Sequence, residues 1–148
     1  MKLLFGSLLL LFAFLLFPNK AYAGVVINEV SPATSPEWVE LYNHDSNSVS
    51  LQGLTIDFGS DSQKKTFCEQ DQIAGNSYKL ISLTASWLNN NGDTVNLKKE
   101  SEIIDSISYG DGQTLAKPSG SQSITRFPDG ASNWILSDSP TQQGNTVS

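Results

Sequence analysis

Apolar and polar residues alternate in short runs along most of the chain, and turn-forming residues separate one run from the next. After residue 23, runs rich in β-branched and aromatic residues recur at intervals of about ten residues, bounded by Gly, Pro, Asn, Asp and Ser. No segment after residue 23 shows the apolar period of three to four residues that indicates an amphipathic helix. The pattern predicts an all-β domain of about eight or nine strands, arranged as a sandwich or a barrel.

The first two predicted strands, Val25–Val30 and Glu37–Asn43, carry the clearest signal. The second has apolar residues on both faces, which suits a strand inside a sheet that packs against another layer. The pair Asn91-Gly92 is typical of a tight β-hairpin turn. The remaining predicted strands are two segments within 49–58, then 65–68, 77–83, 94–98, 103–109 and 123–127.

The N-terminus has a different composition from the rest of the chain. Lys2 precedes an apolar run over residues 3–17, and the following polar stretch ends in Ala-Tyr-Ala at residues 21–23, the pattern of a signal-peptidase site. As a helix this run reaches only about 22 Å, which is shorter than a bilayer core of roughly 30 Å. We therefore predict a signal-peptide helix at 1–23, cleavage after Ala23, and a secreted, periplasmic or extracellular protein. An uncleaved membrane anchor is the alternative.

The mature chain suits one domain, which we place at 24–136, followed by a polar C-terminal tail at 137–148. Loss of Lys2 and Lys20 with the leader leaves seven basic residues against fifteen acidic ones, a net charge of −8. A dispersed acidic surface disfavours nucleic acid, whose phosphates need clustered Lys and Arg. No membrane span is expected after cleavage.

Residues for catalysis are sparse. His44 is the only histidine and Cys68 the only cysteine, so neither a Cys/His zinc site nor a Ser-His-Asp triad is favoured. Cys68 is expected to be a small buried hydrophobe, since free Cys is among the most buried residue types. A reactive thiol or an intermolecular bridge is the alternative. Nucleophile-elbow and phosphate-loop motifs are absent from the sequence, and we predict that the protein is not an enzyme.

Glu29 and Glu40 fall on the two strands most expected to be neighbours. Together with Asn28 and Asn43 they favour a structural role, in which they accept hydrogen bonds from backbone amides near strand ends. Calcium is the second interpretation, because it takes six to eight oxygen ligands. Its candidate ligands are Asn28, Glu29, Glu40 and Asn43, with Asp93, Asp105 and Asp129 as further donors if they converge. A small hydrolase using Glu29 and Glu40 is the third.

Three further side chains are candidates for ligand contact. Trp87 and Trp134 lie near predicted loops and are candidates for an exposed binding surface, whereas Trp38 has the strand spacing of a core residue. Arg126 and Asp129 belong to an Arg-Phe-Pro-Asp-Gly turn, where a surface anion clamp by Arg126 is the lesser interpretation.

Several blocks of the chain, in order, resemble the lamin-tail domain family. They begin with Val26–Val30, Glu37–Asn43 and Val49–Leu54, and continue at 88–90, 92–97, 104–110, 126–130 with Trp134, and 139–145. The resemblance implies an immunoglobulin-like β-sandwich. The family's bacterial members are typically exported, and they look like accessory modules that stand beside secreted hydrolases or alone.

We therefore expect an exported, non-catalytic binding module, which associates with a protein or an envelope or extracellular polymer through loops at one end of the sandwich. A calcium-stabilised structural module and the small hydrolase are the alternatives. No cofactor other than calcium is expected.

Overall fold

The computed structural model describes residues 24–59, 63–84 and 86–143, and in these ranges the protein is all-β. Nothing in the described ranges is a helix long and apolar enough to cross a membrane. The predicted signal-peptide helix at 1–23 lies outside the described residues. The strands are β1 Val25–Ser31, β2 Trp38–Asn43, β3 Val49–Ser50, β4 Leu54–Phe58, β5 Lys64–Thr66, β6 Gln72–Ile73, β7 Ser77–Ser82, β8 Gly92–Lys99, β9 Glu102–Gly110, β10 Ser123–Arg126 and β11 Trp134–Ser137.

Two large sheets form a sandwich. One has five strands in the order β11-β10-β1-β2-β7, the other has four in the order β5-β4-β8-β9, and β3 and β6 form a small third sheet. Apolar residues of both large sheets join one buried cluster, in which Val39 and Leu41 meet Ile56, Val95 and Leu97. The fold is an immunoglobulin-like β-sandwich, which confirms what the resemblance to the lamin-tail domain family implies and decides between the sandwich and the barrel that the sequence pattern allows.

Each predicted strand overlaps an observed strand, but two strands were missed. These are β6, which has only two residues, and β11, which stands beside the polar tail. The prediction of a β-hairpin at Asn91-Gly92 is wrong. Strands β7 and β8 belong to different sheets, so this Asn-rich segment ends a crossover between the sheets, and Gly92 begins β8.

The expectation that Cys68 is a small buried hydrophobe is also wrong, because its side chain is exposed. It lies in a turn where the backbone N–H of Cys68 donates to Asp71 Oδ2 at 3.0 Å, and the Cys68 thiol donates to the same oxygen at 3.3 Å. The turn is held by these polar contacts, so the sulfur stays at the surface. Trp38, by contrast, is buried as predicted.

Strand alternation places charged side chains opposite the core. Val39 and Leu41 point into the core, so Glu40 between them points to the outer face of the five-stranded sheet. Asn28 is the extra residue of a β-bulge in β1, because Ile27 pairs with Leu41 and Glu29 pairs with Glu40. The bulge therefore places Glu29 directly across from Glu40.

Candidate functional site

Glu29 and Glu40 form a carboxyl pair that is completely buried, with 0 % of either residue exposed. Glu29 accepts hydrogen bonds from the Ser123 hydroxyl and from the Thr141 backbone N–H, the latter at 3.3 Å. Residue 141 thus lies over the outer face of the sheet. Burial is the main reason that the pKa of Glu29 is raised from 4.5 to about 7.

Glu40 is less well satisfied than Glu29. Its Oε1 atom accepts a hydrogen bond from Asn28 Nδ2 at 3.1 Å, whereas its Oε2 atom is buried without a hydrogen-bond partner among the described residues. Burial is the main reason that the pKa of Glu40 is raised from 4.5 to about 7, and the nearby charges of Glu29 and Asp129 contribute to this rise. A carboxyl group in these surroundings is more stable protonated than ionised.

The Asp129 turn covers this pair. Asn28 Nδ2 also donates to Asp129 Oδ1 at 2.8 Å, and the Gly130 N–H donates to Asn28 Oδ1 at 3.0 Å. The Tyr78 hydroxyl donates to Asp129 Oδ2 at 2.8 Å. These bonds tie the turn to β1 and β7, so Asn28 and Asp129 hold the turn and the sheet together.

The structure brings together three of the four predicted calcium ligands, but not Asn43. The side-chain amide of Asn43 donates to the carbonyls of Asn47, Ile73 and Ala74 at 2.9–3.2 Å, and so ties two loops together. Asp93 and Asp105 make other contacts, described below. Among the described residues, no three His, Cys, Asp or Glu side chains are grouped so that they could hold a metal ion.

Arg126 is an internal cross-link between the two large sheets. Its Nε donates to the Ile27 carbonyl at 2.7 Å, its Nη2 pairs with Asp105 Oδ1 at 2.7 Å, and its Nη1 donates to the Ala131 carbonyl. The guanidinium also lies 4.4 Å from the centre of the Trp134 ring. Because Arg126 is only 7 % exposed and its donors are engaged, the expectation of a surface anion clamp is wrong.

Both candidate tryptophans are half-buried and pack against the hydrophobic core, but their neighbours differ. Trp134 is half-buried beneath Arg126 and packs against the core, so it contributes to the interior. Trp87 is also half-buried, with its ring centre 5.4 Å from that of Phe58. The backbone N–H of Trp87 donates to Glu37 Oε2 at 2.8 Å, which fixes its loop. Trp87 also lines a surface cavity, described next.

An open polar groove lies on the outer face of the four-stranded sheet, over β4 and β8, and extends to the loops at one end of the sandwich. It has a volume of about 720 Å³, and a second cavity of about 420 Å³ lined by Trp87 shares Gly59, Asn89, Gly92 and Asp93 with it. We call the two cavities together the end groove. Neither Glu29 nor Glu40 lines it. Its polar walls include Asp57, Asn89, Asn91, Asp93, Asp111 and Gln113.

Side chains on the floor of the end groove are held by a hydrogen-bonded ladder across three strands. Asn96 Nδ2 donates to Asp57 Oδ1 at 2.8 Å, and the Lys98 ammonium pairs with the other oxygen of Asp57. The Ser106 hydroxyl donates to Asn96 Oδ1 at 2.7 Å. Each of these side chains therefore holds the next in position.

The walls of the end groove are fixed by turns. Asp93 accepts hydrogen bonds from the backbone N–H groups of Asn89, at 3.0 Å, and Thr94, at 2.7 Å. Gly92 and Gly110 face each other where β8 meets β9, and Gly110 has φ +114°, a conformation that favours glycine. A Cβ atom on Gly110 would collide with Gly92 Cα. The glycine pair therefore lets the two strands close one end of the groove.

The sequence did not predict the end groove, except for Trp87 on its rim. Its residues come from segments near 57, 89–98 and 109–113, which are distant in sequence and polar. The useful signal was the run of amides before Gly92, which we interpreted only as a hairpin turn.

Comparison with protein families agrees with this fold. The sequence model of the Lamin Tail Domain family matches residues 18–111, which is more than half of the chain. A comparison with curated proteins gave no match. The matched range contains β1 to β9 and all the groove-lining residues named above except Gln113, while β10 and β11 complete the five-stranded sheet beyond it. The chain therefore belongs to the lamin tail domain family.

Proposed function

We propose that this protein is an exported, non-catalytic module that binds a protein or an envelope or extracellular polymer through the end groove. The observation that supports the proposal is the open polar groove of about 720 Å³, which runs from the outer face of the four-stranded sheet to the loops at one end of the sandwich. A rigid scaffold that presents loops is a common arrangement for recognition, and fixed side chains lose little entropy on binding. Export rests on the sequence of residues 1–23.

The burial of the carboxyl pair supports binding over hydrolysis. A glycosidase needs two carboxyl groups that reach a substrate and a water molecule. Glu29 and Glu40 are both 0 % exposed and contact Ser123, Thr141 and Asn28 instead. Their hydrogen bonds join the sheet to the segments that cover it, which is a structural role.

Co-sedimentation tests the proposal. The full-length chain is expressed with its own leader, recovered after export, and mixed with the insoluble envelope fraction of its source cells. The variant Asp111→Ala/Gln113→Ala removes two exposed groove side chains, and Glu69→Ala/Gln70→Ala removes an exposed acid and amide away from it.

We expect the wild type and the control variant to sediment with the envelope, and the groove variant to bind about tenfold more weakly. Failure of the wild type to sediment would contradict the binding function. Equal binding by all three proteins would show that another surface makes the contact.

A further inference from the structure

We infer that the ligand of the end groove is a neutral glycan, a polymer of sugars that carry hydroxyl groups and no charge. This inference rests on the proposed function and names its ligand class. It is drawn from the charge, the hydrogen-bonding groups and the shape of the end groove.

The charges of the groove disfavour polyanions. Among the described lining residues, the carboxylates of Asp57, Asp93 and Asp111 stand against the ammonium group of Lys98, and Lys117 Nζ reaches the lining residue Asn91 at 3.3 Å. Lys98 is paired with Asp57, so its charge is already compensated. A phosphate- or carboxylate-rich polymer would therefore meet uncompensated negative charge. A ligand without charge avoids this repulsion.

The polar groups of the groove suit hydroxyl groups. A sugar hydroxyl both donates and accepts hydrogen bonds, and an Asn or Gln side chain offers a donor and an acceptor side by side. Asn89, Asn91, Asn96 and Gln113 supply such amides, and Asp111 supplies an exposed acceptor. Several of these groups are already oriented, because Asn96 is held by Asp57 and Ser106, and Asn91 Oδ1 accepts from Lys117 Nζ at 3.3 Å.

The shape of the groove suits an extended ligand. The larger cavity and the Trp87 cavity lie side by side, since Gly59, Asn89, Gly92 and Asp93 line both, so a polymer bound in one would reach the other across these residues. Trp87 supplies an aromatic ring beside the apolar Phe58 and Leu88, against which the C–H face of a sugar can pack. Protein partners usually place several apolar anchors in a dry centre. The end groove has a polar centre, which favours a glycan over a protein.

Affinity electrophoresis in native gels tests the inference. The exported chain is run through gels that contain hydroxyethyl cellulose, galactomannan or glycol chitin as neutral probes, and alginate as the anionic probe. Asp111→Ala/Gln113→Ala and Glu69→Ala/Gln70→Ala are run beside the wild type. We expect at least one neutral probe to retard the wild type and the control variant, a retardation reduced about tenfold in the groove variant, and no retardation by alginate.

The outcomes separate this inference from the proposed function. Suppose that no neutral probe retards the wild type, and that treating the envelope fraction with protease abolishes envelope binding. These two results would overturn the inference of a neutral glycan and would indicate a protein partner. Retardation by alginate alone, or equal retardation of the groove variant, would also overturn the inference. A wild-type protein that binds neither the envelope fraction nor any neutral glycan would overturn the proposed function itself.

Discussion

Replacing Glu40 with Gln should make the protein more stable at alkaline pH. Glu40 is fully buried, and its Oε2 atom has no hydrogen-bond partner among the described residues. Ionisation places a charge in this site beside Glu29 and Asp129. Gln keeps the shape of Glu and retains an oxygen that can accept from Asn28, but it carries no charge at any pH.

The direction and size of the effect follow from the pKa shift. The pKa of Glu40 is raised from 4.5 to about 7, so between these pH values the folded state binds a proton that the unfolded state has lost. The contribution of neutral Glu40 to the free energy of unfolding is therefore fully present below about pH 4.5. The free energy of unfolding falls as the pH rises from there to about 7. The loss is about 3 kcal/mol for one such carboxyl group. Glu29 shows a similar shift and should contribute a comparable loss. This is a large share of the roughly 5–15 kcal/mol that stabilises a typical domain.

Urea denaturation followed by far-ultraviolet circular dichroism at about pH 5 and about pH 8 measures the effect. We expect the wild type to lose about 3 kcal/mol or more between these pH values, and Glu40→Gln to lose at most half as much. Glu102→Gln, which removes an exposed carboxylate, is the control and should behave like the wild type. A wild type with constant stability, or a Glu40→Gln variant with the full pH dependence, would refute the reasoning.

Three further predictions concern the cross-link, the glycine pair and calcium. Arg126→Lys should lower the free energy of unfolding by about 2 kcal/mol, because Lys cannot replace both the Nε bond to Ile27 and the Nη2 pair with Asp105. Urea titrations measure this change, and a loss under about 0.5 kcal/mol would contradict the prediction. Gly110→Ala should lower the melting temperature of the protein more than Gly112→Ala does. Both glycines have positive φ, but only Gly110 faces another strand. Equal melting temperatures of the two variants would contradict this prediction. Millimolar calcium should leave the melting temperature unchanged, because no group of three acidic, His or Cys ligands is assembled in the described residues; a reproducible rise would show binding.

Much of the sandwich could be predicted because its strands carry local signals. Trp38 to Asn43 shows strand periodicity, and its neighbour β1 begins with three apolar β-branched residues. That Glu29 and Glu40 lie on neighbouring strands followed from pairing these two strands. What sequence periodicity could not show was the bulge at Asn28 and the turn of Asp129, which together make the outer face of a sheet a buried environment.

The end groove could not be predicted because long-range topology assembles it. Asp57, Asn96 and Ser106 are distant in sequence and become neighbours only when β4, β8 and β9 pair. Arg126 was misplaced for a similar reason, since its partner Asp105 comes from the opposite sheet. Cys68 was misplaced because composition favours burial of cysteine, whereas a local turn with Asp71 decides its position.

The central claim is that the end groove recognises the ligand while the carboxyl pair has a structural role and takes no part in binding. The most direct test compares envelope binding by Glu40→Gln and by Asp111→Ala/Gln113→Ala at about pH 6, where the wild type keeps part of its protonated carboxyl pair. The account predicts wild-type affinity for Glu40→Gln and a loss of about tenfold for the groove variant. A folded Glu40→Gln that no longer binds, beside a groove variant that binds normally, would contradict it.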